Sequence, residues 1–375
     1  MTEVLYVCLW YKDKKKTWSG TAWSLRQALE PYVRIRDFPL SDPLYRKVLR
    51  RLQRKKSLAP GPPLPDRLRL WRYGRGRPRT VTFQFGAFPM GKQYGTYIYQ
   101  DLAVAAILWL RQQDPEAYRY CEYDGVPLRT LERRAASQLR CYLRSEAVFT
   151  MSRWLREFLI RECGLPEKKV HAVGGGINVD AARIRPVEKQ GRRILFVGRN
   201  FVRKGGTLVV QAYRILREKY LPEAELYLVG APEPVILTAL RDNAVPCEEG
   251  DMRGIHMPGD LGAEELAEHY NLCDIFCMPS YFEAYGLVFA EALVYGLPCI
   301  GRDKFSMREI IEDGRTGRLL AEDNAELLAE EMWELLSKPR YREEVTGRRE
   351  WYLTEYSWDR VAQRICGVME KNERR

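Results

Sequence analysis

The chain has 375 residues, 46% apolar and 30% charged, so it can bury the cores of two ordinary domains and is not a disordered polypeptide. Its net charge is +11, and no apolar run reaches the ~18–20 residues that a bilayer crossing needs. The opening stretch MTEVLYVCLWYKDKKK places its apolar residues before its lysines, the reverse of a secretory signal, and the nine cysteines contain no CxxC pair, so they are read as reduced thiols of a cytoplasmic protein.

In chain order, the first half opens with a strand-like run, Val4–Trp10, followed by a basic loop and then Ser19-Gly20 leading into a helix that ends near Leu29. Strands are expected at Val81–Phe85, Tyr97–Tyr99, Ala147–Met151 and Val170–Val173, with helices at Asp101–Gln112 and Leu128–Arg144 between them. Ser57–Pro65, with four prolines, is expected to be a loop. Gly174-Gly175-Gly176 breaks the pattern and is read as an interdomain hinge. A second series then follows, with strands at Ile194–Val197, Glu225–Val229, Ile275–Met278 and Cys299–Ile300. Helices are expected at Leu208–Lys219, Glu264–Leu272, Leu287–Tyr295, Ala325–Leu336, Arg340–Tyr352 and Trp358–Met369. Strand and helix alternate throughout, which predicts an α/β fold of two Rossmann-like domains with a cleft between them.

The charge is unevenly shared. Residues 1–178 carry 33 Lys and Arg against 16 Asp and Glu, whereas the remainder carries 28 against 34. The first half is therefore suited to meeting something anionic.

Two segments carry the chemistry. The first is Ser280-Tyr281-Phe282-Glu283-Ala284-Tyr285-Gly286-Leu287, which links a buried strand to a helix, with Glu291 about two turns further on. A helix start after a strand offers backbone N–H groups and a positive dipole end to phosphate, and Gly286 lets the backbone come close. Glu283 and Glu291 can accept hydrogen bonds from sugar hydroxyls, although their spacing alone describes two solvated glutamates equally well. The second segment, Gly198-Arg199-Asn200-Phe201-Val202-Arg203-Lys204-Gly205-Gly206, also joins a strand to a helix. Arg199 and Lys204 with these glycines make a diphosphate cradle, the alternative being a solvated basic loop. Neither a P-loop nor a GxGxxG is present, which counts against an ATPase or a dinucleotide enzyme.

Together these segments resemble the retaining, nucleotide-sugar-dependent glycosyltransferases of family 4. The likeness runs in order through Gly174–Asn178, Leu228-Val229-Gly230, Asp274 to Ser280, Gly296-Leu297-Pro298, Gly314-Arg315-Thr316-Gly317 and Tyr356-Ser357-Trp358. It implies the GT-B fold, with residues 1–176 as the acceptor-side domain, residues 177–356 as the donor domain, and a C-terminal helix, 357–375, returning to the first domain. By that resemblance Arg199 and Lys204 neutralise the donor diphosphate, Glu283 holds the donor sugar and Glu291 the ribose. Gly198, Ala284, Tyr285, Gly286 and Leu287 line the phosphates, and Gly20 closes the site, although Ser19 stands where the family has a second glycine. Retention, transfer without a metal or other cofactor, and a nucleoside-diphosphate sugar donor follow from the same likeness. The absence of a DxD sequence and the presence of protein cations fit it.

Tyr99 and Asp101 are the candidates for orienting the acceptor hydroxyl; Asp101 serves equally as the N-cap of a helix Leu102–Arg111. Seven of the eleven residues Arg46–Lys56 are basic, within a segment 44–58 whose Leu44, Val48, Leu49 and Leu52 share a helical face. This segment is expected to rest on an anionic membrane surface, with a lipid-linked or cell-surface glycan as acceptor, at the inner face of the membrane. Nucleic acid is not expected, since no recognised binding module is present. Two other readings stay open: a sugar-nucleotide epimerase on the same scaffold, and a non-catalytic protein that binds a membrane or a partner.

Overall fold

The computed structural model describes residues 3–40, 64–74, 80–87 and 94–374. The basic segment 44–58 lies outside these residues. The chain divides into two compact units, residues 1–176 with 356–375 and residues 177–355, so Tyr356, expected to end the donor domain, belongs to the first unit.

The first unit is a six-stranded sheet of β1 (Glu3–Cys8), β2 (Arg34–Pro39), β3 (Thr80–Phe85), β4 (Tyr94–Gln100), β5 (Ala147–Thr150) and β6 (Val170–Ala172), in the order β2-β1-β3-β4-β5-β6. Every pairing is parallel. Parallel strands covered on both faces bury nearly every side chain, and β4 and β5 are buried along their whole length. Among the described residues before 177 the helices are α1 (Thr21–Leu29), α2 (Leu64–Gly74), α3 (Val104–Gln113), α4 (Pro115–Tyr120), α5 (Leu128–Arg144) and α6 (Arg153–Arg161).

Two expectations change here. Leu64 and Pro65 open α2 instead of ending a loop, because proline fits the first turn of a helix, where its missing N–H costs no bond. Asp101 does not cap α3. The helix begins two residues later than a cap at Asp101 requires, with Ala103 at the cap position and the Val104 amide donating to Gln138 Oε1 at 2.7 Å.

The second unit repeats the scheme with β7 (Arg193–Val197), β8 (Glu225–Val229), β9 (Ile255–Gly259), β10 (Ile275–Cys277), β11 (Cys299–Arg302) and β12 (Gly317–Leu320), ordered β12-β11-β10-β7-β8-β9 and all parallel. Its helices are α7 (Gly206–Lys219), α8 (Glu233–Asp242), α9 (Ala263–Leu272), α10 (Leu287–Val294), α11 (Met307–Ile310), α12 (Ala325–Ser337), α13 (Arg340–Gly347) and α14 (Arg349–Glu355). The single helix expected at Arg340–Tyr352 is thus two. Gly347 ends the first, and the Arg348 guanidinium turns to Glu312 at 2.6 Å and over the Trp351 ring at 5.0 Å.

The last helix, α15 (Trp358–Glu373), belongs to the first unit. It packs on α1; Tyr32 donates to Asp359 at 3.1 Å, and Arg364 donates to the Val173 carbonyl at 3.2 Å. Gly176 must lack a side chain because its Cβ would lie 2.4 Å from the Trp358 ring.

Candidate functional site

In an open parallel sheet, ligands bind beyond the carboxyl ends of the strands where the strand order reverses. In the second unit that point lies between β7 and β10. The chain leaves β7 for β8 and β9 on one side, and β10 leads to β11 and β12 on the other. The two loops leaving β7 and β10 are the two segments singled out from the sequence, and each runs straight into a helix.

Both helices start in the same way. Gly205 caps α7 with φ of 79° and Gly286 caps α10 with φ of 87°, and neither helix has a side-chain cap. The Gly206 amide of α7 already donates to the Phe201 carbonyl at 2.9 Å, so the start of α10 is the one better suited to an anion. The loops are tied to each other. Tyr281 N–H donates to the Arg203 carbonyl at 3.0 Å, and Arg203 donates back to the Phe282 carbonyl at 2.9 Å. Ser306 Oγ donates to the Tyr285 carbonyl at 2.8 Å, which fixes the far side of the second loop just before Gly286. Ala284, Tyr285 and Leu287 all lie in this loop or on the first turn of α10. Gly198 donates its amide to Val229 at 2.8 Å, and a Cβ there would lie 2.8 Å from Lys204 Cγ.

Across these loops Lys204 Nζ pairs with Glu283 Oε2, and their side chains are only 11% and 12% exposed. Burial pulls the Lys204 ammonium below the ordinary lysine range, more than Glu283 holds it up. Such a pair is costly to desolvate and gains when a further anion reaches the lysine. Arg199 is not brought onto Lys204. Its guanidinium grips Asp260 at 3.0 and 3.1 Å and is 78% exposed. Asp260, just beyond β9, carried no signal in the sequence.

Glu291 lies on α10, where its Oε2 accepts from Tyr270 Oη at 3.3 Å; the Tyr270 ring in turn stacks on Tyr295 at 5.0 Å. Burial pushes the Glu291 carboxyl up from 4.5 to about 6, and the Tyr270 hydrogen bond only partly offsets this. The folded chain thus holds a proton there that the unfolded chain releases. This favours folding below pH ~4.5 and is lost as pH rises through about 6. Glu291→Gln is expected to raise the melting temperature above pH 6, by about 1–2 kcal/mol of stability, and to leave it unchanged near pH 4. Melting curves across that range test this, and a pH-independent difference would rule out burial of the charge as its cause.

The first unit uses a similar device after β1, where Gly20, with φ of 89°, caps α1 without a side-chain cap. Ser19 and Trp18 before it also hold positive φ, 55° and 52°, so Ser19 occupies a backbone state that favours glycine. Tyr99 is fully buried, and its hydroxyl donates to the Gly174 carbonyl at 2.9 Å, which makes it a brace and not a group offered to an acceptor. Asp101, immediately beyond β4, is half-buried. Among the described residues there is no cluster of three or more metal-ligating side chains and no helix long and apolar enough to cross a membrane.

Residues 180–349 match the family model for glycosyl transferases group 1. The chain is 27% identical over 194 residues to a phosphatidyl-myo-inositol mannosyltransferase of Mycolicibacterium smegmatis, covering 51% of this chain and 48% of that protein. It is 26% identical over 248 residues to a D-inositol 3-phosphate glycosyltransferase of Xylanimonas cellulosilytica, covering 62% and 58%. The chain thus spans about half the length of the curated relatives it matches. Among solved structures, WaaG, a glycosyltransferase involved in lipopolysaccharide biosynthesis, superposes with a TM-score of 0.67 at 15% identity over 97% of this chain and 99% of its own. Anabaena HepE in complex with UDP and glucose gives a TM-score of 0.67 at 14% identity over 99% and 100%. Residues 180–349 are thus similar to the glycosyl transferases group 1, and the two Rossmann-like units have the GT-B fold of these solved structures.

Proposed function

We propose that this chain is a retaining glycosyltransferase that moves a sugar from a nucleoside-diphosphate donor to a glycan acceptor, with protein cations in place of a metal. The observation that carries the reading is the buried Lys204–Glu283 pair set between two helix starts that lack side-chain caps. When the bond from sugar to phosphate breaks, negative charge grows on the leaving diphosphate and positive charge on the sugar. Lys204 and the amides of Gly286 and Leu287 stabilise the first, and Arg199 joins them on leaving Asp260. Glu283 is thereby released from Lys204 to hold donor hydroxyls, and Glu291 with Tyr270 grips the ribose. The acceptor enters on the face the diphosphate leaves, so a phosphate oxygen can take the acceptor proton and configuration is kept.

The relatives named above include an enzyme of phosphatidyl-myo-inositol and one of an inositol phosphate, and the HepE structure holds UDP with glucose. Their names favour a lipid-linked or phosphorylated acceptor over a free sugar. The basic segment 44–58 is the part of this chain suited to an anionic membrane surface, each Lys or Arg adding about 1 kcal/mol there. Co-sedimentation with phosphatidylserine vesicles at low salt tests that docking; neutralising Arg50, Arg51, Arg54 and Lys55 is expected to reduce it, and no binding by the parent sinks the idea.

Thermal stabilisation by UDP, GDP, ADP and dTDP tests the donor site directly. One of them is expected to stabilise the protein by about 2.7 kcal/mol at a hundred times its Kd. No stabilisation by any of the four sinks the donor assignment. Epimerised donor without sugar transfer would turn the reading to an epimerase on the same fold.

A further inference from the structure

Arg302 closes β11, next to β10 in the sheet, and its residue is 2% exposed. A guanidinium so deep needs partners, and two of those present, Pro279 and Tyr281, belong to the loop after β10. Nη1 pairs with Asp323, which lies between β12 and α12. Nη2 donates to the Pro279 carbonyl at 3.3 Å. The guanidinium plane lies over the Tyr281 ring, 4.3 Å from its centroid. Nε is buried with no partner among the described residues, so the fork is placed for something other than the greatest number of bonds.

Pro279 and Tyr281 are among the residues through which the β10 loop meets the β7 loop. The Pro279 carbonyl oxygen occupies the space that a side chain on Gly205 would need, 2.4 Å from the Cβ position, and the Tyr281 amide donates to the Arg203 carbonyl at 3.0 Å. Lys204, which pairs with Glu283, lies between Arg203 and Gly205, the two β7-loop residues of those contacts. A buried ion pair is weak evidence for stability and better evidence for a fixed geometry.

Resting on the function proposed above, we infer that Arg302, anchored by Asp323, is a positioning residue: it fixes Pro279 and Tyr281 and so sets the separation at which Lys204 and Glu283 meet the donor. It touches neither donor nor acceptor. An error of about 1 Å in such a separation costs on the order of a hundredfold in rate.

The test uses Arg302→Met, which keeps the length and loses the fork, Arg302→Ala, and Asp323→Asn, which keeps Arg302 and weakens its anchor. Hydrogen exchange of the ligand-free protein is read first. The Tyr281 amide is expected to lose at least tenfold protection in Arg302→Met while amides of β7 and β8 keep theirs, and unchanged Tyr281 protection overturns the inference. Hydrolysis of UDP-glucose and GDP-mannose is then measured. The turnover of Arg302→Met and Asp323→Asn is expected to fall ten- to a hundredfold with KM within threefold of the parent. Ethylguanidinium is expected to restore part of the turnover of Arg302→Ala. A lower melting temperature with parental kcat and KM means a structural role only and overturns the inference, as does failure of the rescue. A parent that binds no nucleotide instead sinks the donor assignment, and the exchange measurement still decides the role of Arg302.

Discussion

Glu283→Gln is expected to lower turnover by about a hundred- to a thousandfold while nucleoside-diphosphate affinity stays within a few-fold of the parent. The change keeps the size of the side chain and most of its hydrogen-bonding capacity and removes only the charge that balances Lys204 across the two loops. Lys204→Met is expected to show the opposite split, a large loss of affinity for UDP or GDP with little loss for the nucleoside alone. Stability separates the two roles further. Each single change leaves one charge about nine-tenths buried without its partner, at a cost of about 2 kcal/mol, somewhat below the ~3–5 for a fully buried pair. For a unit of this size that is a fall of about 4–8 °C in melting temperature. The double variant Lys204→Met with Glu283→Gln removes both charges and is expected to recover most of that loss in stability, with turnover still low. Additive losses in such a cycle would mean that the two side chains do not act as a pair.

Much of this site could be read from the sequence because its parts are local. A glycine at a strand end, cations within a few residues and a helix directly afterwards mark both donor loops, and the α/β alternation gave the two-domain fold. What was not legible depends on partners far apart in the chain. Tyr270 reaches Glu291 from another helix, Asp260 reaches Arg199 from beyond β9, and Arg302 reads locally as a polar residue ending a short strand. Strand β2 is not marked in the sequence for a different reason. As an edge strand it carries Arg34, Arg36 and Asp37, charges that discourage pairing with another chain and hide the apolar alternation. Asp37 there is held by Arg26 at 2.7 Å and Lys14 at 3.3 Å. Asp101 looked like a helix cap because the apolar run begins at Leu102, but tertiary packing delayed the helix to Val104.

Gly205→Ala is expected to be the most damaging single methyl group that can be added to the site. Two costs coincide. The residue holds φ of 79°, where a side chain meets its own backbone at about 1–2 kcal/mol. The new Cβ would also lie 2.4 Å from the Pro279 carbonyl oxygen and 3.0 Å from its carbonyl carbon, in a carbonyl whose oxygen Arg302 also holds. Neither partner can swing away as a flexible side chain would, so the loops must part, at a total of about 2–4 kcal/mol. Gly198→Ala provides the contrast. Its Cβ meets Lys204 Cγ at 2.8 Å, and that side chain can rotate without moving the backbone, so stability should fall by no more than the ~2 kcal/mol of the broken Lys204–Glu283 pair while nucleotide binding falls with the displaced ammonium. Gly367→Ala, within α15 and with nothing within 4 Å of its Cβ, should raise stability by about 0.5–1 kcal/mol through helix propensity alone. Denaturant unfolding of the three variants beside UDP and GDP titrations separates these outcomes. If Gly205→Ala unfolded and bound nucleotide like the parent, the close seating of the β7 loop on Pro279 would not be what builds the site.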